Sequence, residues 1–278
     1  MGVYSSLRTI KFVSALGLSV MGCTLGESWA TAAEGKAPGA TLRELTTDRP
    51  DTTETPFTVD VDHLQLELEA VSYTRNRLDG VRTIEWAAAP LNLRYGLTPN
   101  TEVGLFVTPY LETTEQLRSG EKTTWRGIGD TTLRAKFNFQ GNDGGSLGYG
   151  MFVDLKLPTA KAGLGNDEVD GAVTFPVVFE VGGGWTGAGM TAVEFGLTGQ
   201  DRQVVWLNTL SFAREITEDL GGFLELTSAA GDGAHVATFN LGLTRRFGPQ
   251  LQLDGGFNFG LSRNAPDLRV FLGLSRKY

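Results

Sequence analysis

The chain has 278 residues, with 24 Lys and Arg against 32 Asp and Glu, a formal charge of −8, 37 Gly and a single Cys. An acidic chain lacks the basic patch that nucleic-acid phosphates require, which excludes nucleic acid as a partner. No run of about 18 uncharged apolar residues exists to form a spanning helix, and one cysteine cannot form an internal disulfide.

The first 33 residues carry the marks of a secretory signal peptide. Arg8 and Lys11 precede an apolar core from Phe12 to Leu25, and the small residues Ala30, Thr31, Ala32 and Ala33 follow, so cleavage is expected after Ala32 or Ala33. A competing reading takes Val20, Met21, Gly22 and Cys23 as a lipoprotein processing site with acylation at Cys23, although Met21 fits that pattern poorly. Either route exports the chain. Removing Arg8, Lys11 and Glu27 with the signal peptide takes the formal charge from −8 to −9 and leaves no cysteine.

Residues 34–62 read as an extended N-terminal arm or plug segment. Residues 34–40 are a polar linker, and residues 42–62, LRELTTDRPDTTETPFTVDVD, are dense in acid and threonine. Pro50 and Pro56 hold their preceding residues in extended or turn geometry and oppose a helix. The stretch is either a solvated arm or a segment that packs into a barrel mouth through Asp48, Arg49, Asp51 and Glu54.

From residue 63 the apolar period is two. Strands are expected at about residues 63–73, 82–96, 101–111, 128–140, 146–158, 172–181, 185–198, 203–214, 220–228, 235–247, 250–260 and 267–278, twelve in all. Leu64, Leu66, Leu68 and Ala70 alternate with Gln65, Glu67, Glu69 and Val71. Leu133, Ala135, Phe137 and Phe139 alternate with Thr132, Arg134, Lys136 and Asn138. Such strands suit either a soluble sandwich or a membrane barrel whose apolar face meets lipid.

Loop lengths favour the barrel. Turns after strands two, four, six, eight and ten are short, whereas most others are longer, above all residues 112–127 and 159–171. Short turns on one rim and long loops on the other are the asymmetry of an outer-membrane barrel, with both termini on the periplasmic side. Tyr73, Trp86, Tyr95, Tyr110, Trp125, Trp185, Trp206 and Tyr278 fall at or near strand ends, where rings with polar tips sit at the headgroup level. The expected fold is therefore an all-β, transmembrane, antiparallel up-and-down barrel of about twelve strands over residues 63–278.

Chemistry is sparse. The two histidines are His63 and His235, and only His235 has candidate partners nearby in sequence, namely Ser211, Ser228 and Asp232; no G-x-S-x-G elbow is present. An outer-membrane hydrolase centred on His235 is the weakest of the readings weighed. Asn166, Asp167, Glu168 and Asp170 form an oxygen-rich cluster without the spacing of a calcium loop. No enzyme, cofactor or metal is expected. What remains is the inner parity, with Glu67, Glu69, Arg94, Glu102, Arg134, Lys136, Asp154, Lys156 and Arg269 as charged lumen-lining candidates and Phe106, Phe152 and Phe271 as apolar ones. Both signs are present, so these groups can pair into a filling or line a path.

The segments TTDRPDTTETP (46–56), HLQLELEAVSY (63–73), LRYGLTPNTEVGL (93–105), GIGDTTLRAKF (127–137), LKLPTA (155–160) and FNFGLSRNAPDLRVFLGLSRKY (257–278) resemble the bacterial outer-membrane barrels of the MetA-pathway-of-phenol-degradation, or transporter, family. The resemblance covers most of the exported chain. It implies the outer membrane of a Gram-negative bacterium and passive uptake of small, often aromatic or hydrophobic solutes, and it carries no site residues over. The expected partners are outer-membrane lipid, a small-molecule solute, and the barrel-assembly machinery through the last strand ending at Tyr278. The alternative from a different class is a closed structural or adhesive barrel whose loops bind a surface partner.

Overall fold

The structure, a computed structural model, describes residues 42–198, 204–231 and 233–278. The expected signal peptide, the competing Cys23 site and the linker up to residue 41 lie outside the described residues, as does Asp232. Fifteen strand segments form one sheet: β1 (Leu64–Leu78), β2 (Val81–Ala88), β3 (Leu91–Thr98), β4 (Thr101–Val107), β5 (Tyr110–Gln116), β6 (Lys122–Gly127), β7 (Thr131–Gln140), β8 (Leu147–Leu157), β9 (Asp170–Gly182), β10 (Trp185–Gly196), β11 (Val204–Glu215), β12 (Leu220–Gly231), β13 (Ala234–Arg246), β14 (Leu251–Gly260) and β15 (Leu268–Lys277).

These segments make twelve barrel strands, because β2 with β3, β4 with β5, and β6 with β7 are each one strand interrupted near a proline or glycine: Pro90, Pro109 and Gly129. Proline removes a ladder donor, so a strand containing one breaks or bends there. Sequential neighbours pair antiparallel throughout, and β15 pairs with β1 from Gln65↔Lys277 to Arg75↔Leu268, which closes the sheet. Closure removes the free edge that the C-terminal strand would otherwise present. Tyr278 completes the seam by donating its N–H to the Leu64 carbonyl at 2.8 Å.

The barrel is inside out relative to a soluble protein. Leu133, Phe139, Phe175, Leu226, Leu243 and Leu272 are exposed on the outer face, while Arg94, Glu102, Lys136 and Lys156 are fully buried within. An apolar belt around a charged interior is what a surrounding hydrocarbon layer selects. The protein is thus an outer-membrane barrel.

Three expectations need correction. Residues 112–127 are not a long loop: β5 and β6 pair from Leu111↔Gly127 to Gln116↔Lys122, leaving residues 117–121 as the turn. The β-branched Thr113, Thr114, Thr123 and Thr124 sustain the strand, and the surrounding charges hid it. The connection at residues 158–169 is the long loop. Val71, expected on the inner parity, is exposed on the outer face, because a bulge between Glu69 and Val71 shifts the phase and brings Ser72 inward. Residues 74–81, expected as one of the longer connections, instead continue β1 to Leu78 and begin β2 at Val81, leaving a tight hairpin at Asp79-Gly80, where both residues have positive φ, 51° and 85°, the geometry that Asp-Gly favours.

Candidate functional site

Residues 42–62 enter the lumen and turn back to β1 without regular secondary structure. Prolines and a run of threonines and acids give this stretch no strand period, so its backbone groups find partners on the wall instead. Asp48 and Arg49 donate their N–H groups to Glu67. Thr52 and Thr53 donate theirs to Glu225, at 3.0 and 2.6 Å. Val59 donates to Glu102 at 2.7 Å, and the Phe57 carbonyl accepts from Arg94 at 2.7 Å.

Three charge clusters organise the contact. In the first, Lys136 Nζ lies 2.7 Å from the Asp48 carboxylate, and Arg94 bridges Glu67 at 2.7 Å and Glu102 at 2.8 Å. Asp48 also accepts from the Thr55 N–H at 3.1 Å, which pins the loop of the arm. Burial pushes the Asp48 carboxyl up, but Arg94, Lys136 and Arg134 outweigh it and hold the group below the usual carboxylate range.

The second cluster lies on the closure seam. Arg49 pairs with Asp254 at 2.7 Å and Glu69 at 3.1 Å, Arg269 pairs with the same Glu69, and both guanidiniums lie over the Phe271 ring. Burial lowers the Arg49 basicity, yet Asp254 and Glu69 more than compensate, and its pKa is raised. Gly273 makes this docking possible, since a Cβ there would stand 2.3 Å from an Arg49 nitrogen. Gly96 does the same for the returning arm, where a Cβ would meet the Asp60 carbonyl at 2.1 Å.

In the third cluster Arg134 pairs with Asp154 and with Glu54 of the arm, and stacks between Phe106 and Phe152 at 4.5 and 3.9 Å. Burial drives the Glu54 carboxyl up to about 7 despite Arg134. Asp51, buried beside Glu225 with Ser211 as its hydrogen-bond partner, is pushed up to about 8. Lys156 stands higher in the lumen, against Asp170, Asn166 and Asp130.

All twelve lumen candidates therefore face inward, and all four arm candidates meet the wall. Sequence reasoning passed over Glu225, Asp254, Asn240 and Thr209 as contacts of the arm. They carried the inner parity, but nothing in a linear pattern says which wall groups an unpaired segment will meet. On the extracellular side of the arm the β10 to β12 wall carries an apolar patch, Met190, Ala192, Leu207 and Ala229 packed near Phe152, with Glu194 on the same inner face of β10.

The remaining candidates do not assemble. Ser228 Oγ is 3.0 Å from His235 Nε2 on the outer face, whereas Ser211 is buried on the lumen side, so the serines and the histidine do not form one site. In the calcium candidate, Asn166 and Asp170 are engaged by Lys156. Among the described residues no cluster of three metal-ligating side chains forms.

The fold is similar to solved outer-membrane barrels. An outer membrane channel from Pseudomonas putida F1 superposes with a TM-score of 0.60 at 16% identity over 84% of this chain and 100% of that one. The β domain of the Bordetella autotransporter BrkA gives 0.52 at 11% identity, over 79% and 100% of the two chains. The NanC porin gives 0.50 at 9%, over 77% and 100%. No curated protein matches the sequence. The family model described as "Putative MetA-pathway of phenol degradation" spans residues 47–278, from the arm through the closing strand, and the chain belongs to that family.

Proposed function

We propose that this barrel is a passive outer-membrane channel for small hydrophobic or aromatic solutes, with the N-terminal arm as its gate, and that it is not an enzyme. The observation that carries the reading is the division of the lumen. The arm and its ion pairs occupy the level of Asp48, Arg49 and Glu54, where Phe152 stacks on Arg134, while beyond it Met190, Ala192, Leu207 and Ala229 form an apolar patch on one side of the wall, with the Lys156–Asp170 pair also beyond the arm. A charged, filled level opposes free ion flow, and an apolar patch above it favours solutes that shed water readily. The family's description is in keeping with an aromatic solute. In this reading a solute passes the 158–169 loop, collects against the apolar patch, and moves on when the arm shifts. Assembly proceeds through the C-terminal strand, with Tyr278 presented to the barrel-assembly machinery.

A closed structural or adhesive barrel with loop-mediated binding is the second reading, favoured by the extent of ion pairing between arm and wall. Planar-bilayer conductance and whole-cell uptake of a radiolabelled monoaromatic, for the intact chain and for one lacking residues 46–56, separate the two. The channel reading expects low conductance with measurable uptake from the intact chain, and higher conductance without the arm. A folded barrel that neither conducts nor takes up the aromatic in either form supports the closed reading.

A further inference from the structure

The outer face carries a charge feature that the lumen does not explain. On that face of β1 and β2, the Tyr73 and Trp86 rings touch with centroids 4.8 Å apart, and Trp86 is 45% exposed. Such rings mark the headgroup level of the leaflet. The next outward positions along β1 are Arg75 and Arg77, about 7 and 13 Å further along the strand at a rise of about 3.3 Å per residue. Arg77 pairs in register with Arg82 of β2, Arg82 with Gln116 of β5, and Gln116 with Lys122 of β6. One row across four adjacent strands therefore reads Arg77, Arg82, Gln116, Lys122. Arg118 lies against the neighbouring turn, where a Cβ on Gly80 would touch its side chain.

Like charges directly opposite one another in a sheet repel. Three acids nearby are already engaged, Asp79 with Arg263, Asp267 with Arg75 at 3.6 Å, and Glu112 with Arg126 at 2.8 Å, and Glu121 in the 117–121 turn forms no ion pair with the row. Among the described residues no ion pair forms at Arg77, Arg82, Arg118 or Lys122, and the buried Arg82 Nε has no hydrogen-bond acceptor. A chain with a net charge of −8 thus concentrates unpaired cations just beyond an aromatic pair on its lipid-facing side.

We propose that this row binds the phosphorylated glycolipid of the outer leaflet, with Arg77 and Arg82 sharing a phosphate and Arg118 and Lys122 flanking it. A guanidinium fork fits phosphate oxygens bidentately, and an anion between the two arginines relieves their repulsion. Trp86 and Tyr73 then pack beneath against the sugar and the first acyl carbons. The inference depends on the outer-membrane placement and is independent of what the lumen carries.

The test is native mass spectrometry of the folded mature barrel in detergent micelles, titrated with diphosphorylated lipid A. The wild-type chain is expected to retain the lipid, and Arg77→Gln/Arg82→Gln to bind it about tenfold or more weakly, since each cation near a charged lipid surface contributes comparably. Arg77→Lys/Arg82→Lys, which keeps the charge, should retain most of the binding, and dephosphorylated lipid A should bind wild type as weakly as the double Gln variant binds the intact lipid. Equal binding by wild type and the Gln variant, or indifference to the phosphates, overturns the proposal. Displacement by inorganic phosphate or soluble heparin at the lipid's own concentration would also overturn it, assigning the row to a soluble anion. Unchanged heat-modifiability of the variants on a gel separates lost binding from lost folding.

Discussion

Asp48 accepts hydrogen bonds from Lys136 at 2.7 Å and from the Thr55 N–H at 3.1 Å, and it lies 3.5 Å from Arg94. Removing one partner of a buried charge network leaves the others uncompensated, at about 3–5 kcal/mol. Asp48→Asn is therefore expected to release the arm rather than unfold the barrel, which keeps its sheet. Raised conductance and new protease sites within residues 42–62, at unchanged heat-modifiability, would show this. Asp51 and Glu54 work in the opposite direction. Their docked pKa values, about 8 and about 7, stand above the ordinary carboxylate values of 3.8 and 4.5, because burial disfavours the ionised form. The docked arm thus holds protons that a released arm would lose. Docking is strongest at low pH and weakens as pH rises from about 4 through 7 to 8. Conductance should climb between pH 5 and pH 9, and Asp51→Asn/Glu54→Gln should flatten that profile; a profile unchanged by the double substitution would count against the assignment.

At the scale of elements, the arm is the part that no strand pattern describes. Thr53 Oγ1 lies 2.7 Å from Thr209 Oγ1 of β11, and Thr53 also donates to Glu225 of β12. Cysteines at both threonines, in a chain whose one native cysteine is Cys23 far upstream of the arm, are expected to cross-link the arm to the wall. Uptake of the aromatic should then fall and recover on reduction; uptake that persists in the cross-linked barrel would mean that the arm does not gate. The extension of β5 and β6 beyond the expected strands belongs to the same scale. Four neighbouring strands rise together on one side of the barrel, and their outer face holds the basic row. Its alternation was present in the sequence, but charge and threonine density imitate the composition of a loop.

For the whole molecule, the seam between β1 and β15 decides stability. It is the longest closure in sequence, joining residues some 200 apart, and a barrel with one open seam presents two free edges. Shortening it by deleting Tyr278, whose N–H bonds Leu64 and whose ring lies 4.8 Å from the Arg276 guanidinium, should lower the yield of heat-modifiable barrel in cells. An effect seen in cells but not on refolding in detergent would place Tyr278 in assembly rather than in the finished fold.

Period-two alternation along the chain, with Leu133, Ala135, Phe137 and Phe139 on one side and Arg134 and Lys136 on the other, was enough to give the number of strands, the position of most of them and the face of each candidate charge. Those are local properties, since a pleated strand sends successive side chains to opposite faces wherever it lies. The bulge that turns Val71 outward, the proline breaks that divide single strands, and the β5 to β6 hairpin depend on pairing with neighbours and escaped that pattern. Least legible was the fate of residues 42–62. Their acids and threonines fit a solvated arm as well as a plug, and only the closed barrel brings Glu67, Arg94, Lys136, Glu225 and Asp254, from distant strands, around one short segment. An interaction that requires the wall to be complete before its partner can dock leaves no periodic trace in the chain.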